Sequence, residues 1–331
     1  MNYNFIIKNF KEVFMKEKLL IGMQSGGGWY DHNNDEFGMK RAKDCGIEAI
    51  DYGMDRYFNP DKFKNGERFP LCDLPLEDFI KHFEPLKNAS EKYGVKIAQV
   101  HGPFPNYHVG FDQLNEYLHT LNEKVIATCA YLGCKELVVH PFETVHRYKD
   151  FVNQFDIDIN LKMYKKLIPT AKKYGVKICL ENLQAVNEKE EIVPGICADY
   201  NEAIYLVDTL NAEAGEKIFS FCCDTGHLTS CKKDIYTFIT KLGNRISSLH
   251  IHDSNGGDPH LIPYSQVKDD WGLELVIDWD KFLLALKEIN YQGCLSFETF
   301  RAIRHLPNEC TDEALKLISS IGRYFRKKIL E

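Results

Sequence analysis

No apolar run in this 331-residue chain approaches the roughly 18 to 20 residues that a membrane-spanning helix requires, so no span is expected. Basic blocks are missing as well. The formal net charge is -7 and Lys and Arg are dispersed, which argues against a surface built for nucleic acid or anionic lipid. C-x-x-C pairs and an apolar secretory leader are also absent. The 11 cysteines, among them adjacent Cys222 and Cys223, fall mostly inside apolar runs, as reduced core thiols of a cytoplasmic protein would. No Pro/Ser-rich linker or compositional break divides the chain. One domain is therefore expected over residues 18–331, preceded by an extension at residues 1–17. Met1–Phe14 is too polar for a signal-peptide core and reads as an amphipathic leader, or as sequence upstream of a second start at Met15.

What is present is an alternation. Short apolar runs recur at Leu19–Met23, Ala49–Tyr52, Lys96–Val100, Glu136–Val139, Lys177–Leu180, Ile218–Cys223, Ile246–Ile251 and Cys294–Phe297. Between them lie segments of helical period: Leu76–Tyr93, Leu114–Leu132, Leu161–Tyr174, Asn201–Leu210, Lys232–Leu242, Trp279–Ile289 and Thr311–Phe325. Tyr93-Gly94-Val95-Lys96-Ile97 reappears as Tyr174-Gly175-Val176-Lys177-Ile178, each a helix end, a left-handed glycine cap and a strand start. Strand and helix alternating in this way predict an α/β fold, a single (β/α)8 TIM barrel with parallel strands. The longest irregular pieces, Phe58–Asp73, Val186–Ala198 and Pro259–Val276, follow strands and are expected at the rim of the barrel mouth.

The stretch Ser248 to His260 concentrates chemistry. Its apolar strand opens into a glycine-rich loop bearing His250, His252, Asp253, Asp258 and His260, more metal-ligand chemistry than a turn needs. Asp258 and His260 stand two apart, which in an extended segment puts them on one side of the chain. The other strands end alike: His101, His140, Glu181, Asp224 with His227, and Glu298. Strand ends of a barrel converge on one mouth, so these residues become neighbours there and read as a metal centre. Acidic and aromatic rim loops, with Trp29 and with Asp269-Asp270-Trp271, offer rings and acceptors suited to a carbohydrate.

Those strand-end residues resemble the xylose isomerase-like barrel superfamily, over about Lys18 to Phe325. The superfamily includes sugar isomerases and D-tagatose 3-epimerase-like enzymes, and also the abasic-site nuclease endonuclease IV. By resemblance to the epimerases, one divalent ion would be held by Glu181, Asp224, His250 and Glu298, with His227 on the substrate. Glu181 and Glu298 would then be the catalytic acid/base pair. By resemblance to endonuclease IV, three zinc ions would be held by His101, His140, Glu181, Asp224, His227, His250, Asp258, His260 and Glu298. The chain departs from the epimerase pattern at Gly256 and Asn187, where that branch has a substrate arginine and an acid. The expected function is a sugar or sugar phosphate isomerase or epimerase, working by proton transfer through an enediolate with manganese, zinc or cobalt, and with room for more than one ion. The alternatives are phosphodiester hydrolysis at a trinuclear zinc centre and a non-catalytic sugar-binding barrel. The expected partner is a small sugar rather than nucleic acid or a membrane, and self-association is compatible with it.

Overall fold

The computed structural model describes residues 19–144, 154–268, 270–271 and 274–331. The leader expected at Met1–Phe14, the boundary after residue 17 and the rim residue Asp269 lie outside the described residues. Eight parallel strands form one sheet: β1 (Ile21–Gln24), β2 (Ala49–Gly53), β3 (Lys96–His101), β4 (Glu136–Val138), β5 (Lys177–Glu181), β8 (Phe219–Asp224), β9 (Ile246–His250) and β10 (Leu295–Phe297). A separate antiparallel hairpin, β6 (Gln184–Val186) and β7 (Ile192–Pro194), occupies part of the loop after β5. The sheet order is β10-β1-β2-β3-β4-β5-β8-β9. Its two ends meet just past β9, where Ile251 N–H donates to Ser296 O at 2.8 Å and Ile251 O accepts from Glu298 N at 3.0 Å. That bridge closes the barrel.

Strands covered on both faces must be apolar along their length. Accordingly β1, β2 and β8 are buried at every residue. The helices Asp112–Tyr131, Gln154–Tyr174, Tyr200–Ala214 and Thr311–Leu330 lay apolar stripes on them. Gly94 and Gly175 take the left-handed conformation anticipated for the repeated turn, with φ 66° and 65°.

Three local expectations change. The helix anticipated at Leu76–Tyr93 is two, Leu76–His82 and Glu84–Tyr93; Pro85 has no N–H with which to continue the first ladder. The helix Asp35–Asp44 was not anticipated. Its signal was present, since the Asn34 side chain caps Phe37 N at 3.1 Å and Asp35 and Glu36 fill the first turn. The rim piece Phe58–Asp73 contains two one-turn helices, Pro60–Lys64 and Pro70–Asp73, each opening on proline. Among the described residues no helix is long and apolar enough to cross a membrane.

Candidate metal centre

His101, Glu181, Asp224 and His250 are the last residues of β3, β5, β8 and β9, while His140 and Glu298 follow β4 and β10 by two residues and one. Parallel register levels these ends, with Asp224 directly opposite His250. His101, His140, Glu181 and Glu298 line a cavity of about 580 Å³, with Asp224 and His250 buried behind them.

Three groupings can be distinguished there. In the first, His250 Nδ1 lies 3.0 Å from Glu181 Oε1, 3.5 Å from Glu298 Oε2 and 4.0 Å from Asp224 Oδ2. In the second, His140 Nε2 lies 2.8 Å from Glu181 Oε2 and 3.0 Å from His101 Nε2. In the third, Asp258 Oδ1 lies 3.4 Å from His227 Nε2 and 3.0 Å from His260 Nε2. Oxygen and nitrogen ligands about 2.1 Å from one ion stand about 3.0 to 3.4 Å apart in tetrahedral or octahedral arrangements, so these spacings suit an ion among the groups.

The hydrogen bonding agrees. Glu181 Oε2 and Asp258 Oδ1 are buried without a well-directed hydrogen bond among the described residues. Uncompensated buried oxygen is costly unless something else takes it up. Meanwhile His227 Nδ1 is 2.9 Å from Asn182 O and His260 Nδ1 is 3.0 Å from Glu298 O. A carbonyl can only accept, so each Nδ1 carries the proton and each Nε2 is aimed at Asp258 as a ligand nitrogen would be. The donor set fits a divalent ion.

Electrostatics report the same crowding. Burial pushes the Glu181 carboxyl up, but the imidazoles of His250 and His140 more than offset it and hold the group well below its usual range. Burial likewise opposes ionisation of Asp224, yet His227 and His252 leave it lowered. Burial works against the imidazolium forms of His101 and His227, but Asp51 raises the first to about 9, and Asp224, with Asp258 and Glu181, raises the second to about 10. Binding of an ion to these nitrogens would therefore release protons.

Of the nine histidines and carboxylates anticipated at the strand ends and in the Asp258 loop, seven line this cavity, and Asp224 and His250 lie fully buried directly behind them. The route for Asp258 and His260 differs from the extended segment expected, because His260 is left-handed with φ 48°. Asp253 is not part of the cluster: its carboxylate accepts from Ser254, Ser265 and Gln266 N–H groups at 2.9, 3.1 and 3.2 Å and organises the loop. Trp29 must be corrected. It is fully buried, its indole N–H donating to Gln24 O at 2.9 Å, and so offers no face to a ligand. Trp271 is 86% exposed and does not line the cavity. Phe104, Tyr107, Phe142 and Phe300 supply the aromatic wall instead.

Asp51 escaped the sequence reading, whereas His252 was named among the loop's ligand-type residues without a partner. Asp51, inside β2, is fully buried with Oδ2 3.2 Å from His250 Nε2. His252 Nε2 stands 3.0 Å from Asp224 Oδ2, and its ring stacks on His260 at 4.3 Å. Gly226 makes room for it, since a Cβ there would enter the His252 ring. The signal for Asp51 was a lone carboxylate in an otherwise apolar strand.

Known proteins place the fold. Solved structures that resemble it include 3-keto-D-glucoside 4-epimerase from E. coli (14% identity, 93% of this chain and 100% of that one, TM-score 0.64). A D-tagatose 3-epimerase-like protein superimposes with TM-score 0.63 at 20% identity, over 92% of this chain and 99% of that one. The D-allulose 3-epimerase of Methylomonas sp. in complex with D-allulose does so with TM-score 0.62 at 17% identity, over 94% and 96%. An uncharacterized protein of Methanocaldococcus jannaschii is 27% identical over 226 residues, 66% of this chain and 69% of its own length. The sequence model of the xylose isomerase-like TIM barrel family matches residues 39–321, and with the closed eight-stranded barrel described above this chain belongs to that family.

Proposed function

We propose that the protein is a divalent-metal-dependent sugar isomerase or epimerase that moves a proton on carbon beside a carbonyl. The observation that carries this is the convergence of Glu181 and Glu298 on one nitrogen, His250 Nδ1, at 3.0 and 3.5 Å, on the floor of an open cavity. Two carboxylates from strands three apart around the barrel can address two faces of a small substrate, as proton removal and return require. Glu181, Asp224, His250 and Glu298 would hold the ion. When bound, it supplies Lewis acidity beside the substrate carbonyl and steadies the developing negative charge.

The chain's own residues do the rest. Glu298 takes the carbon-bound proton and Glu181 returns one from the other side. His101, His140 and His227 bind substrate hydroxyls or a further ion, with Asp258 and His260 as its companions. The phenyl faces of Phe104, Phe142 and Phe300 and the ring of Tyr107 pack on sugar C–H groups. Solved neighbours bearing the names of sugar epimerases support this reading, and manganese, zinc and cobalt all suit the mixed oxygen and nitrogen donors.

A second reading, phosphodiester hydrolysis at a multi-ion centre, is favoured by the tight His227–Asp258–His260 grouping. Charge disfavours it. Among the described residues Asp55, Glu143, Glu181, Asp258 and Glu298 line the cavity against one arginine, Arg301, which is itself 3.3 Å from Asp258. A polyanion needs cations at the mouth. The test is to incubate ion-replete protein in deuterium oxide with a panel of aldoses and ketoses, and separately with duplex DNA containing an abasic site. Solvent deuterium on the carbon beside the carbonyl of at least one sugar, with intact DNA, is expected. Nicked DNA with every sugar unlabelled would overturn the proposal in favour of hydrolysis.

A further inference from the structure

Beneath the cluster lies a carboxylate that reaches neither the cavity nor any solvent. Asp51 is 0% exposed, on β2 between Ile50 and Tyr52. Its Oδ2 accepts from Gln99 Nε2 at 3.0 Å and lies 3.2 Å from His250 Nε2 and 3.7 Å from His101 Nδ1. Those two imidazoles stack on each other, centroids 4.8 Å apart and planes 10° from parallel. They use opposite nitrogens. His250 turns Nδ1 to Glu181 and Glu298, whereas His101 turns Nε2 to His140. The nitrogens facing away, His250 Nε2 and His101 Nδ1, are buried and have no well-directed hydrogen bond among the described residues, so the nearby Asp51 carboxylate is the charge that faces them. Among the described residues Asp51 is the one carboxylate within 4.0 Å of both.

We propose that Asp51 is the positioning residue for both histidines: one carboxylate holds the proton on His250 Nε2 and on His101 Nδ1, and so commits His250 Nδ1 and His101 Nε2 to ion binding. This rests on the metal reading above and extends it to a residue that touches neither ion nor substrate. The physical reason is that a neutral imidazole has one N–H and one lone pair, and the partner of the N–H decides which nitrogen is left to ligate. A negative partner also makes the ligating nitrogen a stronger donor. Gln99 anchors the carboxylate, its amide N–H fixing Oδ2 between the two rings. A single anion under two rings further implies that the first two groupings are not independent, because moving Asp51 turns a ligand in each.

The experiment is a competition titration of purified, metal-stripped protein with Mn, Zn or Co against a chromogenic chelator, together with the visible spectrum of the cobalt form. Asp51→Asn is isosteric, and it is expected to lower ion affinity by about 10- to 100-fold and to shift the cobalt bands. Gln99→Met, which removes only the anchor, is expected to lower affinity by a smaller factor, and it carries the test if Asp51→Asn does not fold. Tyr291→Phe, at the far end of the barrel, serves as the destabilised control and is expected to bind ions as the wild type does. Wild-type affinity and an unshifted spectrum in the folded Asp51 and Gln99 variants would overturn the role of Asp51 while leaving the metal reading intact. A wild-type protein that takes up no ion would overturn both.

Discussion

The two ends of this barrel treat buried polar atoms in opposite ways. At the N-terminal end, Tyr291 Oη donates to Cys294 O at 2.9 Å, with Ser247 O nearby as an alternative acceptor at 3.2 Å. Cys179 Sγ and Ser247 Oγ both donate to Glu136 Oε2, at 3.2 and 2.7 Å. Those groups are satisfied. At the C-terminal end, Glu181 Oε2 and Asp258 Oδ1, both on residues that line the cavity, are buried without a well-directed partner among the described residues. Folding stability alone does not select such an arrangement, because each orphan atom costs free energy that a paired or apolar substitute would spare. One end is satisfied by its own side chains, and the other has the pattern that the proposed ion would complete.

That contrast can be broken by substitutions at either end. The largest effect is expected for Glu298→Gln, which keeps the shape of the side chain but cannot carry the proton. Turnover should fall by about 10²- to 10⁴-fold with the melting temperature held, and residual activity above about a tenth of wild type would contradict a base role. Gly226→Ala comes next, since the added Cβ pushes His252 away from Asp224. It should cost about 1 to 3 kcal/mol in chemical denaturation and weaken ion binding together. Tyr291→Phe is the mirror experiment, leaving the buried Cys294 carbonyl without its donor. A loss of about 1 to 2 kcal/mol with kcat unchanged is expected, and a fall in kcat would mean that the two ends are not separable.

The smallest effect is a graded one with pH. In the ion-free protein His101 and His227 are raised to about 9 and about 10, against about 6.5 in an unfolded chain. Their contribution is therefore fully present below about pH 6.5 and lost as pH climbs through about 9 to 10. Melting of the stripped protein should decline by a few degrees over that window. The gain on adding an ion should grow across the same range, because fewer protons then compete for the nitrogens. A pH-independent gain would show that the ion binds elsewhere.

Much of this was legible in the chain, for reasons that differ by element. All eight barrel strands lie within a residue or two of the apolar runs, because a strand buried on both faces leaves no freedom of pattern. The strand-end histidines and carboxylates could be placed at one mouth because barrel geometry converges whatever the loops do. What the loops do was less legible. Trp29 reads as a rim aromatic, but its ring is fully buried with its edge against Tyr30, centroids 5.5 Å apart. His260 reads as extended, but tertiary contacts hold it left-handed. Asp51 is a polar residue in a strand whose partners, His101 and His250, lie on β3 and β9. No local pattern reports which side chain lies across a barrel.

The central claim is that Glu181, Asp224, His250 and Glu298 hold one divalent ion at the barrel mouth. Crystals soaked in manganese, with data collected on both sides of its absorption edge, test this directly. The account predicts an anomalous peak within coordination distance of all four side chains, at the floor of the cavity. A strong peak elsewhere, with nothing among these four, would contradict it.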